Sequence, residues 1–179
     1  MTFPVFASGD VLNASDMNAV GLWLVKTQTI GSAVSSVQVT GAFSANYRDY
    51  LILLDGGTSS SNVDLNLSLG STATGYYSNL VYNTYGSATV TGIAYQNQSN
   101  WYFAGSAFTN KLSAWIELHS PFETEETSYA ARLVQTSTTG LSGIAQGYLN
   151  NTTSYTAFTL TSPSATMTGG VIRVYGYRT

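Results

Sequence analysis

Tyrosine and tryptophan side chains interleaved with asparagine and serine are the feature of this sequence that best fits contact with a ligand. Aromatic rings cover the apolar face of a sugar ring, and carboxamides hydrogen-bond its hydroxyl groups. These residues are concentrated in residues 75–86 and shortly afterwards. The candidate residues for receptor or subunit contact are Tyr76, Tyr77, Tyr82, Tyr85, Trp101 and Tyr102. The same residue types are enriched in subunit interfaces and in protein cores, so the sequence leaves these three roles open.

His119 is the sole histidine of the 179-residue chain and the first candidate for acid–base chemistry. Alternation along a strand puts it on the same face as Trp115 and Glu117. A catalytic triad would also require a nucleophile and an orienting carboxylate around the imidazole. No nucleophile motif such as G-x-S-x-G accompanies it. We therefore predict an ordinary histidine at the rim of a sheet and no catalytic residues.

A group of carboxylates is the candidate metal site. Glu123, Glu125 and Glu126 lie close together in the segment PFETEET, and Glu117 precedes them. Clustered carboxylates are the ligands that Ca²⁺ favours, but this spacing matches no calcium loop. The segment is more typical of a solvated turn between two strands. We predict no metal and no cofactor.

The composition excludes several classes of function. Only 8% of residues are charged, whereas a globular chain typically has about a quarter. The net charge is −3, and the six basic residues are scattered from Lys26 to Arg178, so no basic stripe for nucleic acid is expected. Cysteine is absent, which excludes disulfides and thiol chemistry. Serine, threonine, asparagine and glycine replace charge at the surface, which suits a protein packed among copies of itself or outside a cell.

The first 21 residues are predicted to form a separate docking element. An extended, semi-apolar arm is followed by a short helix that Asn13 can cap and Gly21 can end. So short a helix is unstable alone and must dock on another surface. The side chains predicted to dock on a particle are Phe3, Val5, Phe6, Val11 and Leu12. No basic segment precedes a long apolar run, so we expect neither a signal peptide nor membrane insertion.

Residues 22–179 are predicted to form one β domain organised around residues 50–69. The apolar run 50–54 ends at a glycine-rich turn, and residues 63–69 then alternate between apolar and polar, so that one face is dry and the other wet. The predicted strands cover residues 22–30, 36–40, 50–54, 63–69, 89–95, 101–104, 111–119, 128–136, 144–149, 155–161 and 170–178. Residues 71–88 are expected to form a long irregular connection. This spacing predicts an all-β, antiparallel β-sandwich, with a jelly roll as the first choice.

Three segments resemble one family of proteins. FASGDVLNASDMNAV, residues 6–20, resembles the "F-x-x-G-D-V-L-x-A-x-D-M/L-N" segment near the start of many tailed-bacteriophage virion proteins, especially short tail-fibre and minor tail proteins. FSANYRDYLILL, residues 43–54, resembles the "F-s-x-x-Y-x-x-Y" entry into their β domain. GGVIRVYGYR, residues 169–178, is similar to their last strand.

The resemblance implies a structural virion component that is assembled in the host cytoplasm and is commonly a homotrimer. Its amino-terminal arm would attach to other phage virion proteins of the tail or capsid, and its β domain would face outwards. A tail-fibre or spike-like adhesion subunit that contacts a host-surface glycan is the first hypothesis. A capsid decoration or head-fibre protein bound to the major capsid lattice is the second.

Overall fold

The structure, a computed structural model, describes residues 21–177. Within that range the chain is all-β and contains no helix, and so none that could cross a membrane. The predicted docking arm, its short helix and its five docking side chains, from Phe3 to Leu12, lie outside the described residues.

The strands follow one another with short connections. Their bounds are β1 Leu22–Thr29, β2 Ser36–Thr40, β3 Asp49–Asp55, β4 Thr58–Ser59, β5 Val63–Leu69, β6 Tyr76–Thr84, β7 Thr91–Gln98, β8 Trp101–Ala107, β9 Leu112–His119, β10 Thr127–Val134, β11 Leu141–Leu149, β12 Ala157–Thr161, β13 Met167–Thr168 and β14 Val171–Tyr177. All pairings among them are antiparallel.

The strand order is that of an extended jelly roll. One layer runs β1-β14-β3-β9 and the other β2-β12-β5-β8, which is the arrangement produced by two Greek keys. The layers join where β8 pairs with β9. Two insertions, β6-β7 and β10-β11, lengthen the first layer into an eight-stranded sheet with the order β1-β14-β3-β9-β10-β11-β6-β7. The prediction of an antiparallel β-sandwich is confirmed.

The central stretch contributes to both layers. β3 pairs with β14 and β9, whereas β5 pairs with β12 and β8, so the two strands lie in opposite layers and share one buried core. Leu65, Leu67 and Leu69 are fully buried, as the alternation of β5 predicts. The opposite face of β5 is drier than predicted, because Asn66 is also buried there. Burying a leucine side chain stabilises a fold by about 1.5–3 kcal/mol.

The prediction of a long irregular connection across residues 71–88 is wrong. Tyr76–Thr84 form the nine-residue strand β6, which is paired with β11 on one side and β7 on the other. Tyr76, Ser78 and Leu80 face inwards and are buried, while Asn79 and Val81 face outwards and are exposed. Ser78, Asn79 and Asn83 interrupt the apolar alternation of this segment and favour turns, so the strand was not evident from the sequence. Pairing on both sides satisfies its backbone hydrogen bonds.

Two glycines in β11 hold β6 in place. A Cβ at Gly147 would lie 1.9 Å from the carbonyl oxygen of Tyr77, and a Cβ at Gly143 would lie 2.4 Å from that of Val81. Any side chain at these positions would push the two strands apart. The close approach sets the position from which β6 presents its outward-facing residues.

Candidate functional site

Two of the six candidate aromatic residues belong to the core. Trp101 and Tyr76 are almost fully buried and meet edge to face, with ring centroids 4.9 Å apart. The Tyr76 hydroxyl accepts a hydrogen bond of 2.8 Å from the backbone N–H of Leu69, and burial raises the pKa of Tyr76 to about 12. Both side chains are therefore structural and present no surface to a receptor or a neighbouring subunit. Their predicted contact role fails because inward-facing strand positions seal them from solvent.

Three further candidates do not converge on one surface. Tyr82 faces inwards and packs against the core. Tyr102 is half-buried in a bulge of β8, with its ring 4.5 Å from the ring of Tyr95. Phe103 in the same bulge has a φ of 60°, a conformation that costs energy for an aromatic residue. Tyr85 is exposed in the turn after β6.

Tyr77 alone of the six lies on the outer face of the eight-stranded sheet. The register of β6 and β11 places it directly opposite Tyr148. The two rings stack, with centroids 5.2 Å apart and planes inclined by 14°. Tyr148 is 42% exposed, so this pair presents an aromatic surface to solvent. Nothing in the sequence selected Tyr148, because its partner is 71 residues away along the chain.

A shallow cleft of 240 Å³ lies beside the tyrosine pair, and we call it the tyrosine–amide cleft. Its lining includes Ser78 and three carboxamides, Asn79, Gln96 and Gln146, which lie on three adjacent strands. Gln146 lies directly opposite Asn79 in the β11–β6 ladder. Among the hydrogen bonds of residues 21–177, none engages the side chain of any of the three. Within this part of the chain their donors and acceptors have no protein partner and can meet a ligand.

The lining of the tyrosine–amide cleft is electrically neutral. Its remaining lining residues are small or aromatic, and none of the lining residues carries a carboxylate, an ammonium, a guanidinium or an imidazole. A charged ligand would lose hydration there without gaining an ion partner, which is unfavourable. An uncharged ligand with many hydroxyl groups matches both the rings and the amides.

The same outer face carries most of the exposed apolar surface. Among residues 21–177, ten large apolar side chains are exposed, and eight of them project from this face. Four of these form what we call the apolar band, on β6, β9, β10 and β11: Val81, Trp115, Val134 and Ile144. The guanidinium of Arg132 lies over the Trp115 ring, 4.7 Å from its centroid, and covers part of the band.

His119 also lies on the outer face, next to two residue types that occur in catalytic triads. Its Nδ1 is 3.3 Å from Oδ1 of Asp49 on β3, and Ser128 of β10 is its direct cross-strand neighbour on the other side. No hydrogen bond within the described residues joins Ser128 to His119. The contact between nucleophile and base that defines a triad is therefore missing.

The glutamates of the candidate metal site are dispersed. Glu125 pairs with Arg48, and the backbone N–H of Glu123 donates a hydrogen bond to the carbonyl of Ser120. Within residues 21–177, no three histidine, aspartate or glutamate side chains come close enough to hold a metal ion.

No protein-family model and no curated protein matches the chain. The resemblance to bacteriophage virion proteins therefore remains a prediction. Of its three segments, residues 43–54 lead into and include most of β3, and residues 169–178 contain β14. Residues 6–20 lie outside the described part of the chain.

Proposed function

We propose that this protein is a non-enzymatic structural protein of a bacteriophage particle, acting as a tail-fibre or spike-like adhesion subunit that is assembled in the host cytoplasm. The three sequence resemblances support the virion assignment. The jelly roll agrees with it, since this fold recurs in viral capsid and lectin domains. A fold alone specifies no function, however, and the adhesion role rests on where the surfaces lie.

The observation that carries the adhesion role is the separation of two edges of one sheet. Residues 1–20 lead directly into β1, which forms one edge of the eight-stranded sheet. The tyrosine–amide cleft lies near the opposite edge, on β11, β6 and β7. Six strand spacings separate β1 from β6, about 29 Å along the sheet at ~4.8 Å per spacing. A subunit attached through its leading segment can thus present the cleft away from the attachment point.

We propose further that the subunit is a homotrimer. The apolar band is the surface that supports association, because contiguous exposed apolar residues on a soluble protein usually mark an interface. A surface with few charges has little to oppose the approach of a second copy. Contact between copies would remove Trp115 and Ile144 from water.

The adhesion function is tested on the particle and on the host. An antibody against the β domain should label purified particles at the tail tip, and purified protein should bind host cells and slow adsorption of the phage. Label confined to the capsid surface, or purified protein that neither binds cells nor competes with the phage, would refute the adhesion role.

The second candidate is a capsid decoration or head-fibre protein. The apolar band favours it, since a band that meets the major capsid lattice would be covered in the same way as one that meets a second copy. Copy number separates the two functions. A ratio to the major capsid protein near that of the capsid lattice sites indicates decoration, and a ratio near that of tail fibres indicates adhesion.

A further inference from the structure

We propose that the tyrosine–amide cleft binds an uncharged carbohydrate, with one pyranose ring against the Tyr77–Tyr148 pair and its hydroxyl groups bonded to Asn79, Gln96 and Gln146. Its biological role as recognition of a host-surface glycan rests on the proposed adhesion function. The binding itself is a property of the isolated protein.

The aromatic wall supplies the first part of the argument. Because the Tyr77 and Tyr148 rings are nearly parallel, each restricts the tilt of the other, and Tyr148 keeps 42% of its surface free. The C–H groups of a pyranose face can displace water from such a wall. A rigid ring loses little conformational freedom when the ligand binds, which favours tyrosine at binding surfaces.

The three carboxamides supply the second part. Each has two N–H donors and a carbonyl acceptor, and a sugar hydroxyl both donates and accepts. Asn79, Gln96 and Gln146 lie on paired strands, so their backbones are held at fixed spacing before a ligand arrives. Several other amides are already engaged, for example Gln135, which bonds to Asp64 at 2.9 Å. The three amides of the cleft, on adjacent strands beside the aromatic wall, have no such bond within the described residues.

The neutral lining decides the class of sugar. Anionic sugars such as uronic or sialic acids gain most where a cationic side chain pairs with the carboxylate. The cleft lining contains no lysine, arginine or histidine. On the same face Arg132 is engaged over Trp115. We therefore expect neutral hexose or N-acetylhexosamine oligomers to bind in preference to acidic ones.

The test uses the purified full chain and a panel of neutral and acidic oligosaccharides of matched length, with affinity measured by calorimetry and contacts by saturation-transfer NMR. At least one neutral oligosaccharide should bind. Tyr148→Ala and, separately, Gln146→Ala should weaken it at least about tenfold, which corresponds to a loss of about 1.4 kcal/mol. Both side chains are on the surface, so both variants are expected to fold.

Matched controls come from the same protein. Tyr177 is a tyrosine on the same face, on β14 beside the opposite edge strand of the sheet, with a similar exposure of 39%. Gln38 is an exposed glutamine on β2 in the other layer. Tyr177→Ala and Gln38→Ala should leave the affinity within about twofold, a difference near the usual scatter of surface substitutions.

Three results would overturn the inference: no binding of any neutral oligosaccharide in the panel, equal loss in the control variants, or preference for acidic sugars. Host-cell binding by the same variants separates this inference from the proposed function. If the protein is located on the tail and still binds cells after Tyr148→Ala and Gln146→Ala, the adhesion role is supported and the glycan-binding cleft is refuted. If the protein binds sugar through the cleft but is absent from phage particles, the glycan-binding cleft is supported and the virion role is refuted.

Discussion

Trp101 and Tyr129 stack face to face in the interior, with ring centroids 4.7 Å apart and planes within 8° of parallel. Trp101 lies on β8 in one layer and Tyr129 on β10 in the other, so the contact ties the two layers together. Complete burial raises the pKa of the Tyr129 phenol above its ordinary value. The pair acts as a structural contact between the jelly roll and its inserted strands.

Because Trp101 is part of the core, replacing it should reduce the stability of the fold. We expect Trp101→Ala to lower the free energy of unfolding by about 3–5 kcal/mol, because it opens a large cavity between the layers. Urea unfolding followed by circular dichroism measures the change. Tyr85→Ala, in an exposed turn, should change it by less than about 0.5 kcal/mol. Equal stability of the two variants would contradict the assignment of Trp101 to the core.

The close approach of β11 and β6 predicts a contrast between two glycines. Gly147→Ala should lower the free energy of unfolding by about 1–3 kcal/mol, because the new Cβ would overlap the Tyr77 carbonyl oxygen and push β6 away. Gly92 on β7 is the control, since a Cβ there meets nothing closer than 3.9 Å. Thermal unfolding of Gly147→Ala and Gly92→Ala gives the comparison. Similar midpoints would show that β11 and β6 are not closely apposed.

Asp64 predicts how stability depends on pH. Burial raises the pKa of its carboxyl, while the hydrogen bond from Gln135 partly lowers it. An acid with a raised pKa in the folded state binds its proton more tightly there than in the unfolded chain, whose value is 3.8. Its contribution is therefore most favourable below pH 3.8, and it becomes less favourable as the pH rises from 3.8 through the raised folded-state pKa.

Asp64→Asn should remove this dependence. The amide oxygen can still accept the hydrogen bond from Gln135, so we expect the variant to gain stability relative to the native chain as the pH rises from about 3 to about 7. Denaturant unfolding at both pH values measures the gain. If the native protein instead became more stable relative to Asp64→Asn as the pH rose, the predicted direction of the effect would be wrong.

The apolar band predicts the association state. We expect the native protein to sediment as a trimer at micromolar concentration. Ile144→Lys should shift it towards monomer, because burying an unpaired ammonium in the interface is costly. Gln38→Lys, on the outer side of the other layer, adds the same charge and should leave the trimer intact. Native protein that sediments only as a monomer would refute the homotrimer.

Strand positions were largely predictable, because alternation is a local property that needs no knowledge of partners. Ser36–Thr40 and Val63–Leu69 have the bounds that the pattern indicates, and several other strands differ by only a few residues. β6 was missed because its polar residues resemble a loop until both edges are paired. The two-residue strands β4 and β13 were missed as well, since so short a ladder has no periodicity of its own.

The sequence predicted the residue types of the candidate site but not which individual residues form it. An excess of tyrosine and amide side chains is visible in the chain, and it indicates a surface suited to sugars. Tyr77 was among the candidates, but Tyr76, beside it, faces the core. A shift of one residue along a strand exchanges the two faces, so the sequence could not tell which of the two neighbours is exposed.

The sequence by itself determined an all-β body with a dry interior, because apolar residues at every second position must turn to one side of a sheet. Only the tertiary structure decided which strands became neighbours, and with them the meeting of Tyr77 with Tyr148 and of Asn79 with Gln146. Register between segments some 70 residues apart depends on long-range packing. No local pattern encodes it, and the tyrosine–amide cleft exists only once the sheet has closed over its core.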